Sequence, residues 1–283
     1  MIDYSQLLLL GAVAGFTIFL GLPLASLQHL SSTKKGFLNA FALGILIFLI
    51  IEVISHAWEA AEDSTIEAYA GEASMGDAVL SMAALFGGIG IGLLGLVLYE
   101  TRWMTTKKFP QILTLENIKQ SDSYLQQLFH EASAYKLAMI IAIGIGVHNF
   151  SEGLAIGQSY VAGELGLAIL LIVGFGAHNT TEGFGIAGPL AGLINKPRIR
   201  FLVLVGLIGG GPTFIGTLIG SWWISNLAYI LFLSIAGGAL IYVSMLMYNS
   251  GRKLTTNSVM MIGIFIGLFA GFITDLLIEF SGA

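Results

Sequence analysis

Two segments of the chain repeat one pattern of glycine, histidine, asparagine and glutamate. Residues 144–153 read GIGVHNFSEG and residues 174–183 read GFGAHNTTEG, so both follow G-x-G-x-H-N-x-x-E-G. Imidazole and carboxylate groups bind divalent ions such as Zn²⁺, Fe²⁺ and Mn²⁺. Because the chain has no cysteine, a Cu(I) site is disfavoured. The repeated pattern therefore predicts a site for a divalent metal ion.

The spacing within each motif places its polar side chains along one face of a helix. Successive residues are about 100° apart around an α-helix, so His148 and Glu152 lie about 40° apart and Asn149 lies about 60° beyond the glutamate. The second motif has the same geometry. If the two faces meet, they form a cage of histidine, glutamate and asparagine side chains. The predicted cage residues are His148, Asn149, Glu152, His178, Asn179 and Glu182.

The elements that must hold these residues are membrane-spanning helices. The 283 residues are 56% hydrophobic and only 10% charged, whereas a soluble domain carries about 25% charged residues. This composition excludes a disordered chain, a disulfide scaffold, a cysteine-based metal site and a basic nucleic-acid-binding protein. We predict an all-α membrane protein with eight spans, each able to cross about 30 Å of hydrocarbon. The predicted spans are Leu7–Leu27, Gly36–Trp58, Ala78–Glu100, Ala134–Tyr160, Leu165–Leu190, Phe201–Gly220, Trp222–Tyr248 and Ser258–Phe280.

The charged residues indicate which ends of the spans face the cytosol. All twelve Lys and Arg residues lie in or beside odd-numbered loops, and the even-numbered loops and both termini have none. Since basic loops stay cytoplasmic, both termini are predicted to be extracytoplasmic. The second loop is acidic, which is consistent either with an entrance that concentrates cations or with an ordinary solvated loop. Its acidic residues are Glu59, Glu62, Asp63, Glu67, Glu72 and Asp77.

The two motifs fall on consecutive, antiparallel spans, which is the local signature of an inverted repeat. At a rise of 1.5 Å per residue, His148 and His178 both lie near the membrane midplane. A carboxylate at this depth costs about 3 kcal/mol and usually belongs to a functional site. No Lys or Arg lies in the central part of any predicted span to neutralise Glu152 and Glu182. A bound divalent cation explains the four residues better than a structural role does.

Three further polar residues lie within predicted spans. Glu52 and His56 are four residues apart near the outer end of the second span, and Asp275 lies at a similar depth in the eighth. They are candidates for an inward path from the acidic loop to the midplane, or else for polar groups bonded within the helix bundle. The cytosolic loop 101–133 is expected to contain a short surface helix over Leu113–Phe129. The loop is too small for a separate domain, so residues 1–283 are predicted to form a single domain.

With these motifs and this topology, the sequence resembles the ZIP (Zrt-, Irt-like) family of divalent-metal transporters, of the prokaryotic type. The resemblance implies a 3+2+3 inverted-repeat bundle that moves metal into the cytoplasm through a mid-membrane centre, which is often binuclear. The residues implied for the primary ion are His148, Glu152, His178 and Glu182. Those implied for the weaker secondary ion are Asn149 and Asn179, together with both glutamates.

Two positions depart from the family pattern. Ser151 and Thr181 stand where the family commonly has proline before the motif glutamate. We therefore expect less kinked helices, with these hydroxyls bonded to the backbone one turn earlier. Some binuclear members also carry a glutamate just before a proline of the sixth helix, where this chain has Gly211 before Pro212. The resemblance thus predicts one tight site and a second site that is at best transient.

The sequence predicts a transporter and not an enzyme. The predicted substrate of the transporter is Zn²⁺ or another divalent ion, and no organic cofactor is needed. The alternative is an intramembrane zinc-dependent hydrolase, but the chain has no H-E-x-x-H motif and no evident open coordination position. A metal-sensing receptor is disfavoured because no soluble output domain is evident. The predicted partners are the metal ion and the lipid bilayer of the cell membrane, with a homodimer as a further option and no nucleic acid.

Overall fold

The computed structural model describes residues 3–28, 30–104, 123–161, 175–176, 179–222 and 225–280, except for the side chains of 103–104, 123–130 and 277–280. Within these ranges the chain is helical and contains no β-strand. The helices are α1 (Tyr4–Phe16), α2 (Ile18–Gly21), α3 (Ser32–Ala70), α4 (Met75–Tyr99), α5 (Ser123–Val161), α6 (179–187), α7 (Ile199–Gly220), α8 (Asn226–Gly251) and α9 (Asn257–Phe280).

Seven segments of the described chain are long and apolar enough to cross a membrane. They correspond to seven of the eight predicted spans. The first is built from α1, α2 and a 3₁₀ turn with Pro23 near its start. Proline is tolerated there because the first N–H groups of a helical turn have no partner within it. The predicted fifth span, Leu165–Leu190, lies partly outside the described residues, and α6 with the 3₁₀ turn Gly188–Leu190 forms its last part.

Short polar side chains fix where several spans begin. Ser31, Ser74 and Ser225 lie just before α3, α4 and α8, and each hydroxyl accepts a hydrogen bond from a backbone N–H of the first turn. Asp3 caps α1 in the same way. The backbone N–H of Gln6, together with Ser5, lowers the pKa of this exposed aspartate. These caps satisfy N–H groups that have no partner within the helix.

Helix α3 is longer than the second predicted span, and this overturns the expected acidic loop. It has 39 residues and ends at Gly71, which adopts a left-handed conformation with φ of 81°. A helix of this length reaches about 58 Å, roughly twice the hydrocarbon thickness. Four of the six acidic residues assigned to the loop therefore lie on a helical extension of α3. They are Glu59, Glu62, Asp63 and Glu67.

The connection between α4 and α5 also differs from the expected cytosolic loop 101–133. Helix α4 continues into a π-helical turn, Glu100–Met104, and α5 begins at Ser123. The separate surface helix expected over Leu113–Phe129 is wrong for its last residues, because these form the first turns of α5. Its earlier residues lie outside the described part of the chain. The helical signal belonged to an extended span, which hydropathy alone ends too early.

The described helices pack as two groups. In the motif group, α5 and α1 pack on α7, and Gly183 of α6 packs against Ile18 and Gly21 of α2. In the supporting group, α3 packs on α8 and α9, and α4 packs on α8. The groups meet where α5 contacts α8, through the rings of Phe150 and Phe232 with centroids 4.8 Å apart.

Glycines at the helix contacts allow unusually close backbone approach. A Cβ atom at Gly153 of α5 would overlap the carbonyl oxygen of Thr213 in α7, and one at Gly92 of α4 would overlap that of Ile235 in α8. Membrane helices associate through this kind of packing because lipid supplies no hydrophobic drive between them. Gly153 of the first motif and Gly183 of the second therefore belong to the framework that holds the polar residues.

Candidate metal site

Helix α5 presents the first motif to the interior of the protein. His148, Asn149 and Glu152 are almost fully buried, with exposed fractions of 3%, 0% and 5%. His148 Nε2 lies 3.1 Å from Glu152 Oε1, one turn further along the helix. The i, i+4 spacing thus brings an imidazole and a carboxylate into direct contact on one buried face.

The structure brings the described part of the second motif to the same face. Glu182 of α6 is completely buried, and its Oε1 atom lies 3.9 Å from His148 Nε2. Its other oxygen, Oε2, accepts a hydrogen bond of 2.8 Å from Asn149 Nδ2. One histidine and two carboxylates from two helices therefore surround a common point.

The two asparagines use their amide nitrogens to bond neighbouring helices. Asn149 Nδ2 also donates to the carbonyl oxygen of Gly209 in α7 at 3.0 Å. Asn179 Nδ2 donates to the carbonyl oxygen of Ala14 in α1 at 2.9 Å. Sequence reasoning missed both carbonyl groups, because a backbone acceptor has no signature in residue type. These bonds orient each carboxamide and leave its oxygen directed elsewhere.

Buried oxygen atoms of three motif residues accept no hydrogen bond within the described part of the chain. They are Asn149 Oδ1, Asn179 Oδ1 and Glu152 Oε2. A buried polar atom without a partner is costly, and native proteins satisfy most of them with water, ions or ligands. All three are acceptors, so a cation fits them and an anion does not. The local chemistry matches a divalent ion with nitrogen and oxygen ligands.

The residues in place of the family prolines behave as the sequence predicts for the first motif. Ser151 Oγ donates to the carbonyl oxygen of His148 at 2.6 Å, which is the expected bond to the preceding turn. In the second motif, Thr180 Oγ1 donates to the carbonyl oxygen of Gly176 at 2.9 Å, and the bond expected of Thr181 stays a prediction. Hydroxyl groups thus bond to the backbone in the helices that carry the predicted ligands.

The predicted ligand His178 lies outside the described residues. Among the residues that the structure describes, no group of three or more His, Asp or Glu side chains is arranged so that it could hold a metal ion. His148 contacts Glu152 more closely than it contacts Glu182, at 3.1 Å against 3.9 Å. The described residues therefore supply one imidazole and two carboxylates of the predicted set, and the fourth predicted ligand is left to His178.

Glu52 lies further from the end of its helix than the sequence predicts. Because α3 continues to Ala70, Glu52 lies in the middle of this helix and not near its outer end. Its carboxylate interacts electrostatically with His148 and Glu152 of the motif and with Asp275 of α9. The inward-path interpretation of Glu52 therefore understated how close this residue is to the site.

The two other residues of the predicted inward path are more exposed. His56 lies one turn beyond Glu52, and its Nδ1 atom is 3.7 Å from Glu59 Oε2. Asp275 lies one turn beyond Gly271, which packs against Phe48 of α3. Since Glu52 is likewise one turn beyond Phe48, Asp275 lies beside Glu52.

Gly211 lies on the same side of α7 as the exposed side chains of Leu204, Leu207 and Ile215. A Cβ atom at this position would meet no atom of the described residues within 4 Å. The part of α7 that reaches the site is the carbonyl group of Gly209. The weak secondary site expected from Gly211 stays a prediction.

Together, these features define a multi-pass helical membrane protein with a buried nitrogen and oxygen donor set suited to a divalent cation. The family model described as "ZIP Zinc transporter" matches residues 110–279, which include both motifs. Since this segment is more than half of the chain, the protein belongs to the ZIP family of divalent-metal transporters. It is accordingly a transporter and not an enzyme, and the hydrolase alternative has no support. No curated protein matches the chain significantly.

Proposed function

We propose that this protein carries divalent metal ions into the cytoplasm through a site formed by His148, Glu152, His178 and Glu182. Zinc is the first candidate substrate, and iron, manganese and cadmium are the others. The observation that carries the proposal is the buried contact of His148 with Glu152 and Glu182, in a chain of a metal-transporter family. Asn149 and Asn179 are the proposed ligands of a second, weaker ion, because their buried oxygens accept no hydrogen bond from the described residues.

The outer part of α3 is the proposed collecting surface for cations. Glu59 and Asp63 each lie within about 20° of the direction of Glu52 around α3, because seven and eleven residues are close to whole numbers of helical turns. Acidic groups along one line raise the local concentration of cations and guide them inward. Glu52, His56 and Asp275 form the proposed inner end of this path.

Release to the cytosol requires the site to open on its other side. The motif group and the supporting group are the two bodies whose relative rocking would achieve this. At their cytosolic ends, Lys136 Nζ of α5 lies 2.7 Å from Glu100 Oε1, and Tyr242 of α8 donates a hydrogen bond to the other oxygen of Glu100. This bridge joins the two groups, so opening must break or stretch it. A single domain of eight spans in the cell membrane, with both termini outside, completes the proposal, and the homodimer stays a prediction.

Uptake by reconstituted vesicles tests the proposal. Proteoliposomes that contain the purified protein and an internal zinc-sensitive dye are expected to take up external Zn²⁺ in a saturable manner. The extent to which external Fe²⁺, Mn²⁺ or Cd²⁺ slows the uptake of Zn²⁺ ranks these ions as substrates. Protein-free liposomes are the control. Uptake no faster than in the protein-free liposomes, for every one of these ions, would refute the proposed function.

A further inference from the structure

We propose that Glu52 is a direct ligand of the transported ion, supplied by α3 from the supporting group while the motif residues come from the other group. This inference rests on the proposed function, because it assigns a further ligand to the same site. It gives Glu52 a role in binding, whereas the sequence suggested only a step on the inward path.

The depth of Glu52 in the bundle supports this assignment. A cavity of about 60 Å³ near the cytosolic end is lined by both helices, with Asn39 from α3 and Leu137 from α5. These two residues therefore mark one level. Glu52 lies about 20 Å above Asn39, while His148 and Glu152 lie about 16 Å and 22 Å above Leu137, at 1.5 Å per residue. Glu52 is thus at the level of the motif and not above it.

The lateral position of Glu52 agrees with its depth. Its carboxylate interacts electrostatically with His148 and Glu152, and the carboxylate of Glu182 interacts with Glu52 in turn. The Oε2 atom of Glu52 is fully buried, although the residue as a whole is only half-buried. One end of the side chain therefore lies inside the protein, within electrostatic range of the motif residues.

Helix α8 explains how α3 comes so close to a site on the other group. It packs against both α3 and α5, and it has glycine where α3 crosses it. A Cβ atom at Gly237 would lie 2.9 Å from Ile54 Cγ1 of α3, so a larger residue would push α3 away. Tyr229 of the same helix interacts electrostatically with both Glu52 and Glu152. Gly237 of α8 therefore allows α3 to pack closely enough for Glu52 to reach the motif.

A ligand from each helix group has a mechanical consequence. An ion held by Glu52, His148 and Glu182 ties the two groups together, so it stabilises the arrangement in which they are close. The rocking that opens the cytosolic side would then detach Glu52 from the ion and weaken its binding. Cargo binding and movement of the two groups would be linked through this residue.

The test is equilibrium binding of Zn²⁺ to the purified full-length protein, by competition with a zinc-sensitive dye. Glu52→Gln removes the charge and keeps the shape, and we expect its Kd to rise by about tenfold or more, as when a partner in a metal site is lost. Glu131→Gln is the matched control, since it makes the same change on α5 at the cytosolic end, where the carboxylate bonds Asn195. We expect the Kd of the control to be unchanged.

Glu52→Asp separates ligation from a distant charge effect and serves if the glutamine variant fails to fold. Aspartate keeps the charge but is one methylene shorter, so a direct ligand predicts a Kd raised by several-fold. An affinity equal to that of the wild type in Glu52→Asp, or in a folded Glu52→Gln, would overturn the inference. Zinc uptake by the wild-type protein would still support the proposed function in that case, whereas a wild type that neither binds nor transports zinc would overturn both.

Discussion

Replacing Glu152 with glutamine is expected to abolish zinc uptake and to weaken zinc binding by about 100-fold or more. The carboxylate lies 3.1 Å from His148 Nε2, and its other oxygen accepts no hydrogen bond within the described residues. Glutamine has the same shape but lacks the charge that attracts the ion. Because a neutral side chain is cheaper to bury than an ionised carboxylate, the variant should still fold.

Two measurements check this expectation together. Size-exclusion chromatography and thermal melting establish that Glu152→Gln is folded, and vesicle uptake with dye competition measures transport and Kd. Glu131→Gln again makes the same chemical change away from the site and should transport like the wild type. Near-normal uptake by Glu152→Gln would show that the ion takes another route.

Replacing Gly153 with alanine is expected to impair both folding and transport. The new methyl group would overlap the carbonyl oxygen of Thr213, so α5 and α7 would have to move apart next to Glu152. Overpacking of this kind typically costs about 1–3 kcal/mol. The same displacement stretches the bond from Asn149 to the Gly209 carbonyl group, which is 3.0 Å long. We expect a lower melting temperature and uptake reduced by about tenfold or more, since misplacing reactive groups by about 1 Å has effects of this order.

Gly90→Ala is the matched control for this substitution. It makes the same change in a membrane-spanning helix, but a Cβ atom at Gly90 of α4 would meet no atom of the described residues within 4 Å. Its melting temperature and uptake should therefore remain close to those of the wild type. If Gly153→Ala behaved like Gly90→Ala, the close approach of α5 and α7 would not be needed to build the site.

Hydropathy identifies seven of the spans, but it misjudges where the helices end. It predicts a loop for the last part of α3, because residues 59–70 are polar. The same stretch, EAAEDSTIEAYA, is rich in alanine and glutamate, which are strong helix formers, so it contained a signal for the extension. Polarity shows where a chain leaves the membrane, but it does not show where a helix ends.

Some contacts of the candidate site can be predicted from the sequence, and others can be seen only in the fold. The H-N-x-x-E spacing predicts that His148 contacts Glu152, because residues four apart on one helix lie on the same face. The partners of Asn149 in α6 and α7 depend on how helices meet, and no local pattern encodes them. The level of Glu52 depends on the full length of α3 and on the glycines of α8, so it becomes visible only in three dimensions.

Anomalous diffraction from crystals of the zinc-loaded protein tests the central claim most directly. The account predicts a strong zinc peak bounded by His148, Glu152 and Glu182, with ligand distances of about 2.0–2.2 Å. The same map would show whether His178 and Glu52 complete the coordination. A zinc peak found only on the acidic outer part of α3, with none between α5 and α6, would contradict the claim that this buried cluster holds the transported ion.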